Sequence, residues 1–320
     1  MITRVSSLAF NGIDILDVDV QVRIEPGVPK FMIVGLADKT IAESRERVRV
    51  ALSSIGLCLP AKNILINLAP ADLIKEGSHF DLAISVGILA SMGALPDEEI
   101  RDFLILGELS LDGGILPVSG VLPAAMGATA RGKGLICARG NGSEAAWSGN
   151  DNILAPGNLL ELVNHFKGTQ VLSRPHPGVA DQEISYPDLK DIKGQKIAKR
   201  ALEIAAAGGH NLLMFGPPGS GKSMLAQRLP GILPELSPSE ILECSTISSV
   251  AGYIKDGCLT RKRAFRAPHH SCTSAAMVGG GAGRKVKPGE ISLAHNGVLF
   301  LDELPEFNSA VIESLRQPME

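Results

Sequence analysis

Gly216-Pro217-Pro218-Gly219-Ser220-Gly221-Lys222-Ser223 is followed, 75 residues on, by Val298-Leu299-Phe300-Leu301 running into Asp302-Glu303. The first stretch fits G-x-x-x-x-G-K-[ST], a turn whose backbone N–H groups cradle phosphates. Gly216, Gly219 and Gly221 allow backbone conformations that other residues resist, and Pro217, Pro218 and Ser220 complete the loop. Apolar Leu212–Phe215 before it predicts a buried strand. Met224–Leu229 after it predicts a helix, whose positive N-terminal end adds to the phosphate site. In such a loop Lys222 bridges β- and γ-phosphates and the Ser223 hydroxyl ligates Mg²⁺. The second stretch reads as an apolar strand ending in two carboxylates. Asp302 is placed to hold Mg²⁺ through its water shell, and Glu303 to orient an attacking water. The pair, in this order, points to ATP and Mg²⁺ as cofactors, with Lys222, Asp302 and Glu303 as the catalytic set.

The rest of the composition bounds the setting. A chain of 320 residues suits two domains. A hydrophobic share of 45% with 20% charged residues supports packed cores and excludes a disordered chain. Net charge of −3 gives no global pull toward nucleic acid, so any basic surface is local. Cys58, Cys137, Cys244, Cys258 and Cys272 form no CxxC pair, which argues against a disulfide framework or zinc site and for reduced thiols in the cytoplasm. Met1-Ile2-Thr3-Arg4 lacks an apolar signal core. Leu82–Leu95, the longest uncharged apolar stretch, has 14 residues, too few to span a membrane, and predicts a buried helix.

Residues 1–167 mix strands and helices in an α+β pattern. Ser7–Phe10 and Ile13–Val18 flank Asn11-Gly12, a hairpin signal. Strands are predicted at Phe31–Val34, Ile64–Leu68, Phe103–Leu106 and Leu135–Ala138, with a strand–turn–strand over 109–116. Asp38 caps a predicted helix reaching about Leu57, on which Ile41, Val48, Leu52 and Ile55 share one face. Further helices are predicted over 120–131 and 157–166. The glycines and prolines of 168–187 read as a linker, and 188–320 as the nucleotide-binding domain. There, Lys196–Ala207 is predicted helical, and the strand–loop–helix alternation implies a parallel sheet.

Four longer strings carry a resemblance. Asp188-Leu189-Lys190-Asp191-Ile192-Lys193-Gly194-Gln195 and Ala205-Ala206-Ala207-Gly208-Gly209-His210-Asn211-Leu212-Leu213, with the phosphate loop, resemble the AAA+ core of magnesium-chelatase-like ATPases. Phe265-Arg266-Ala267-Pro268-His269-His270-Ser271 and the run from Gly289 to Phe307 resemble its ComM/YifB (competence) branch. By that resemblance Asp191–Gln195 wraps the adenine, although the same residues also suit a plain helix cap. Between Gly257 and Gly289 there is no acidic residue, while Arg261, Lys262, Arg263, Arg266, Arg284, Lys285 and Lys287 are basic. Such a run suits contact with a phosphate backbone, or equally a solvated face or subunit contact. Adjacent His269 and His270 lack metal-ligand spacing.

Lys75-Glu76-Gly77-Ser78-His79-Phe80-Asp81-Leu82 and the run from Gly107 to Gly120 look like the proteolytic domain of Lon-type proteases, which uses a Ser–Lys pair. The serine position falls here on His79 and the lysine position on Leu122, so the resemblance implies a scaffold without peptidase chemistry. Trp147 reads as ordinary packing, and Arg45, Arg47 and Arg49 as a solvated helix face.

The resemblance thus implies an α+β Lon-protease-like N-terminal domain followed by an α/β P-loop NTPase (AAA+) core that is incomplete at the C-terminus. It implies a cytoplasmic, ring-forming motor on branched or single-stranded DNA, a branch-migration helicase supporting integration of transforming DNA. Its full-length form would self-associate, as a hexamer, away from membranes. Arg266 would touch DNA in the pore. Two alternatives are a chelatase-type ATPase that remodels a protein partner during metal insertion, and an ATP-binding fragment without turnover. The arginine finger, sensor and helical lid of AAA+ proteins are expected beyond Glu320, so the chain reads as truncated.

Overall fold

The computed structural model describes residues 2–35, 39–73, 75–178, 185–280 and 287–319. Asp38, Gly281, Gly283, Arg284 and Lys285 lie outside the described residues, as does the Ile41 side chain. Two compact units result. Residues 2–178 together with 249–258 form the first, and the remaining described residues form the second.

The first unit is built on a seven-stranded sheet ordered β3-β4-β2-β1-β5-β8-β9. The strands β1 (Ile2–Asn11) and β2 (Asp14–Glu25) make the expected hairpin, pairing Asn11 with Asp14. Its two-residue loop is therefore Gly12-Ile13, one place later than expected. The left-handed turn needs φ above zero, and Gly12 supplies it at +64°. Next, β3 (Lys30–Val34) and β4 (Asn63–Ala69) are parallel, joined by α1 (Lys39–Ser54). Then come α2 (Asp81–Ser91), α3 (Asp97–Ile100), β5 (Phe103–Ile105), and the short pair β6 (Glu108–Leu109) and β7 (Ile115–Leu116). The unit closes with α4 (Val121–Ala130), β8 (Gly134–Ile136), α5 (Arg139–Ala145), β9 (Ile153–Leu154) and α6 (Leu159–Phe166). Strands β5, β8 and β9 continue the sheet in parallel from β1.

Alternation along the strands feeds two cores, one on each face. Val5, Ala9 and Ile105 pack with α1, α2 and α6, whereas Leu8, Leu104 and Leu135 pack with α4 and α5. Every residue of α2 from Asp81 to Ala90 is buried, as the uncharged run implied.

In the second unit α7 (Lys196–Gly208) and α8 (Lys222–Ala226) flank the phosphate loop, and α9 begins at Pro238 (Pro238–Ala251). There follow β10 (Phe265–Arg266), α10 (Ser274–Val278), β11 (Gly279–Gly280), β12 (Lys287–Pro288), α11 (Glu290–Leu293), β13 (Val298–Leu299), α12 (Ser309–Ser314) and α13 (Arg316–Met319). The buried strand expected at Leu212–Phe215 is not one. Leu213 is 75% and Phe215 93% exposed, and the segment joins no sheet. A strand exists only through its ladder partners. Among the described residues β13 pairs in parallel with β10 and leaves Leu212–Phe215 without one. The expected parallel sheet is correspondingly reduced to that two-stranded pair. No helix among the described residues is long and apolar enough to cross a membrane.

Candidate functional site

The two quoted stretches meet in the second unit. Ser223 Oγ donates to Asp302 Oδ2 at 3.0 Å, although the residues are 79 apart in sequence. Asp302's other oxygen accepts the Glu303 backbone N–H at 3.1 Å. The apolar strand β13 stops at Leu299, so the carboxylates sit on a turn just past it rather than on its last residue. Both are exposed to solvent.

Gly219 and Gly221 stand at φ of 75° and 84°, and a Cβ at either would meet nothing within 4 Å. These positions need glycine for conformation rather than for space. Lys222 Nζ donates to the Gly216 and Pro217 carbonyls at 3.0 and 3.2 Å, folding the ammonium over the loop. The Ser220 hydroxyl is buried and has no hydrogen-bond partner among the described residues. A glycine turn, an orphaned hydroxyl, a cation and a serine–aspartate pair fit a nucleoside triphosphate with its Mg²⁺.

Around the loop, Gln195 takes a left-handed conformation (φ 51°) at the start of α7, and its side-chain amide donates to the Ser220 carbonyl at 3.0 Å. Gln195 is thus the N-cap residue of α7 but makes no side-chain cap hydrogen bond; its amide ties the segment to the phosphate loop instead, and Asp188 caps only the short helical turn Leu189–Asp191, accepting from Lys190 N.

Arg266, expected to reach DNA, forms a two-point ion pair with Glu290, both contacts at 2.6 Å. Glu290 lies just past the acid-free run, so counting charge inside the run missed it. Arg261, Lys262 and Lys287 are exposed, Lys262 lying over the Tyr186 ring at 5.3 Å. No cluster of three or more His, Cys, Asp or Glu side chains able to hold a metal ion, around His269 and His270 or elsewhere, occurs among the described residues. His270 Nδ1 instead lies 3.7 Å from Glu303 Oε2, a contact that no sequence spacing announced.

In the first unit His79 is buried with Nε2 at 2.9 Å from the Leu8 carbonyl, and Leu122 is buried in α4. Ser78 Oγ bonds Glu108, and the nearby Lys75 is buried against the Pro70 carbonyl. Among the described residues no hydroxyl–lysine pair forms there. Arg47 is not part of a solvated face. It binds Asp81 at 2.6 and 3.2 Å, and Asp81 is fully buried at the start of α2. Burial pushes the Asp81 carboxyl up, against the hydrogen bonds from Arg47 and Ser44 that favour its charge. Arg45 and Arg49 do lie on the surface, each paired with Glu46. Trp147 Nε1 donates to the Gly257 carbonyl at 3.0 Å. A second buried carboxylate, Glu144, accepts from Ser249 Oγ, Leu122 N and Asn141 Nδ2, and burial raises its pKa.

Two family models match the chain. The one described as magnesium chelatase, subunit ChlI, covers residues 188–320, and the one described as subunit ChlI of Mg-chelatase covers residues 20–141. The competence protein ComM of Haemophilus influenzae is 45% identical over 99% of this chain and 63% of its own length. The uncharacterized protein YifB of Escherichia coli is 44% identical over 97% of this chain and 61% of its own length. An uncharacterized protein of Mycobacterium tuberculosis is 42% identical over 99% of this chain and 63% of its own length. The chain therefore spans a little over three-fifths of these relatives. With the phosphate loop, the Asp302–Glu303 turn and the Phe265–Ser271 string all inside the matched region, the chain belongs to the magnesium-chelatase-like family of the ComM and YifB proteins.

Proposed function

We propose that the protein is an AAA+ ATPase whose nucleotide cycle drives work on DNA. The observation that carries the ATP part is the 3.0 Å contact between Ser223 and Asp302, which puts the loop's hydroxyl and the carboxylate turn in one place. Lys222 and the loop N–H groups hold the phosphates, Ser223 and Asp302 hold Mg²⁺, and Glu303 orients the attacking water. Mg²⁺, when bound, supplies charge neutralisation to the phosphates. The roles left to the chain are positional. The left-handed glycines aim backbone donors inward, Lys222 exchanges its loop carbonyls for phosphate oxygens, and Glu303 accepts a proton from water.

The DNA part rests on the similarity to a competence protein over 99% of the chain and on the exposed Arg261, Lys262 and Lys287. A ring of subunits, six in the full-length form, cytoplasmic and translocating on branched or single-stranded DNA, completes this reading. The first unit serves as a Lon-like scaffold for assembly, its dyad positions occupied by His79 and Leu122.

A chelatase-type partner remodeller is the second reading, favoured by the chelatase descriptions of both matching models. Because one of them covers residues 20–141, the N-terminal unit does not weigh against it. ATP turnover measured with and without a four-way DNA junction separates the two. Stimulation by the junction is expected for the motor, and turnover indifferent to DNA contradicts it.

A further inference from the structure

Strands β10 and β13 run parallel with Arg266 opposite Leu299. Four residues past each partner, on the turns that follow the strands, stand His270 and Glu303, and their side chains meet, Nδ1 to Oε2, at 3.7 Å. The geometry points to His270 as the positioning residue for the Glu303 carboxylate. This inference rests on the ATPase reading above and deepens it.

The turn that carries Glu303 is strained in its backbone, and the Glu303 side chain reaches into solvent. Glu303 has φ 55° and ψ 46°, the left-handed region that a residue with a Cβ seldom adopts. Its side chain is 69% exposed. Among the described residues the carboxylate pairs with His270 alone, Nδ1 to Oε2 at 3.7 Å. A water-orienting carboxylate with that much solvent around it samples many rotamers, and only a fixed partner narrows them.

His270 is itself fixed. Its ring meets Phe307 edge-on at 6.5 Å, and Phe307 is buried with Met277, Val311 and Leu315. On its other side the His269 ring lies 4.0 Å away. His269 Nδ1 faces two donors, the Ser271 backbone N–H and its hydroxyl, which makes that nitrogen an acceptor. His269 is thereby occupied with its own turn, and His270 is the histidine left to address Glu303. The strand beneath is anchored by stacking of Phe265 on Phe300 and by Phe300 N donating to the Arg266 carbonyl at 2.8 Å. The whole arrangement lies inside the second unit.

The test compares wild type, His270→Ala and His270→Asn, in the full chain, for steady-state ATP turnover and for equilibrium binding of Mg·ATP. The asparagine amide nitrogen sits close to where Nδ1 does. The expected result is a loss of about 10- to 100-fold in kcat for His270→Ala, a KM and binding affinity near wild type, and recovery of most of the turnover in His270→Asn. Wild-type turnover in His270→Ala overturns the inference while leaving the ATPase reading intact. So does a loss of nucleotide binding in both variants, which would make His270 a structural residue. Absence of turnover in wild type itself overturns the ATPase reading, and this inference with it.

Discussion

Two apolar stretches that look alike in sequence have opposite fates. Leu82–Leu89 lies wholly buried in α2, pressed against β1 and β2, whereas Leu213 and Phe215 stand 75% and 93% exposed before the phosphate loop. Hydrophobicity is the same in kind. The difference is the surroundings each stretch finds. Strands β1 and β2, 10 and 12 residues long, offer α2 an extended apolar face, and its internal hydrogen bonds make it complete as a helix. A strand is never complete alone, and the two-residue strands of the second unit give Leu212–Phe215 no ladder. Apolar content states a need for burial, and topology decides whether the need is met.

The largest expected effect lies at the centre of the first unit. Arg47→Ala leaves the Asp81 carboxylate buried without its cation and is expected to cost about 3–5 kcal/mol in urea unfolding of the first unit. A loss under about 1 kcal/mol would mean that the pair is a surface contact in effect. Leu82→Ala, which empties a fully buried site, is expected to cost about 2–5 kcal/mol. Phe215→Ala belongs at the opposite end, within about 0.5 kcal/mol of wild type in urea unfolding of the second unit, to which Phe215 belongs. Equal costs for these two would erase the contrast between the regions.

Between these extremes lies a pH effect. Burial raises the Glu144 pKa in the folded state, with the hydrogen bonds from Ser249, Leu122 and Asn141 opposing it. The folded protein then holds this proton more tightly than the unfolded chain. The resulting stability is fully present below the unfolded pKa and is lost as pH rises through the folded one. Glu144→Gln removes that titration. The Tm of wild type minus that of Glu144→Gln is expected to fall as pH is raised from about 4 toward about 8. A difference constant across that range contradicts the shift.

Much of the first unit was legible because its signals are local. The hairpin glycine, the period-two alternation of β1 and the uncharged run of α2 each specify their own element. The missed elements, α3, α5 and β9, are short, and α5 contains Gly140 and Gly142, which weaken a helical pattern. Arg47 was misread because its partner Asp81 is 34 residues away, beyond any helical spacing. In the proposed nucleotide site, the motifs name Lys222, Ser223, Asp302 and Glu303 because phosphate and Mg²⁺ restrict which residues can serve, and the meeting of Ser223 with Asp302 agrees with that pairing. The contacts of Gln195 and His270 were not legible, since each meets the loop or the turn through tertiary structure rather than through a motif. The pairing of Arg266 with Glu290 was not legible for the related reason that this counter-charge lies outside the basic run.

The measurement that tests the central claim most directly is equilibrium binding of ATP, with and without Mg²⁺, to wild type, Lys222→Ala and Asp302→Asn. If the loop and the carboxylate turn form one site, wild type binds ATP with Mg²⁺-dependent affinity. Lys222→Ala then weakens binding by about tenfold or more, the scale of one charge-assisted phosphate contact. Asp302→Asn is expected to remove the Mg²⁺ dependence while leaving Mg²⁺-free binding near wild type. Binding by Lys222→Ala at wild-type affinity, or an Mg²⁺ dependence untouched in Asp302→Asn, would contradict the account.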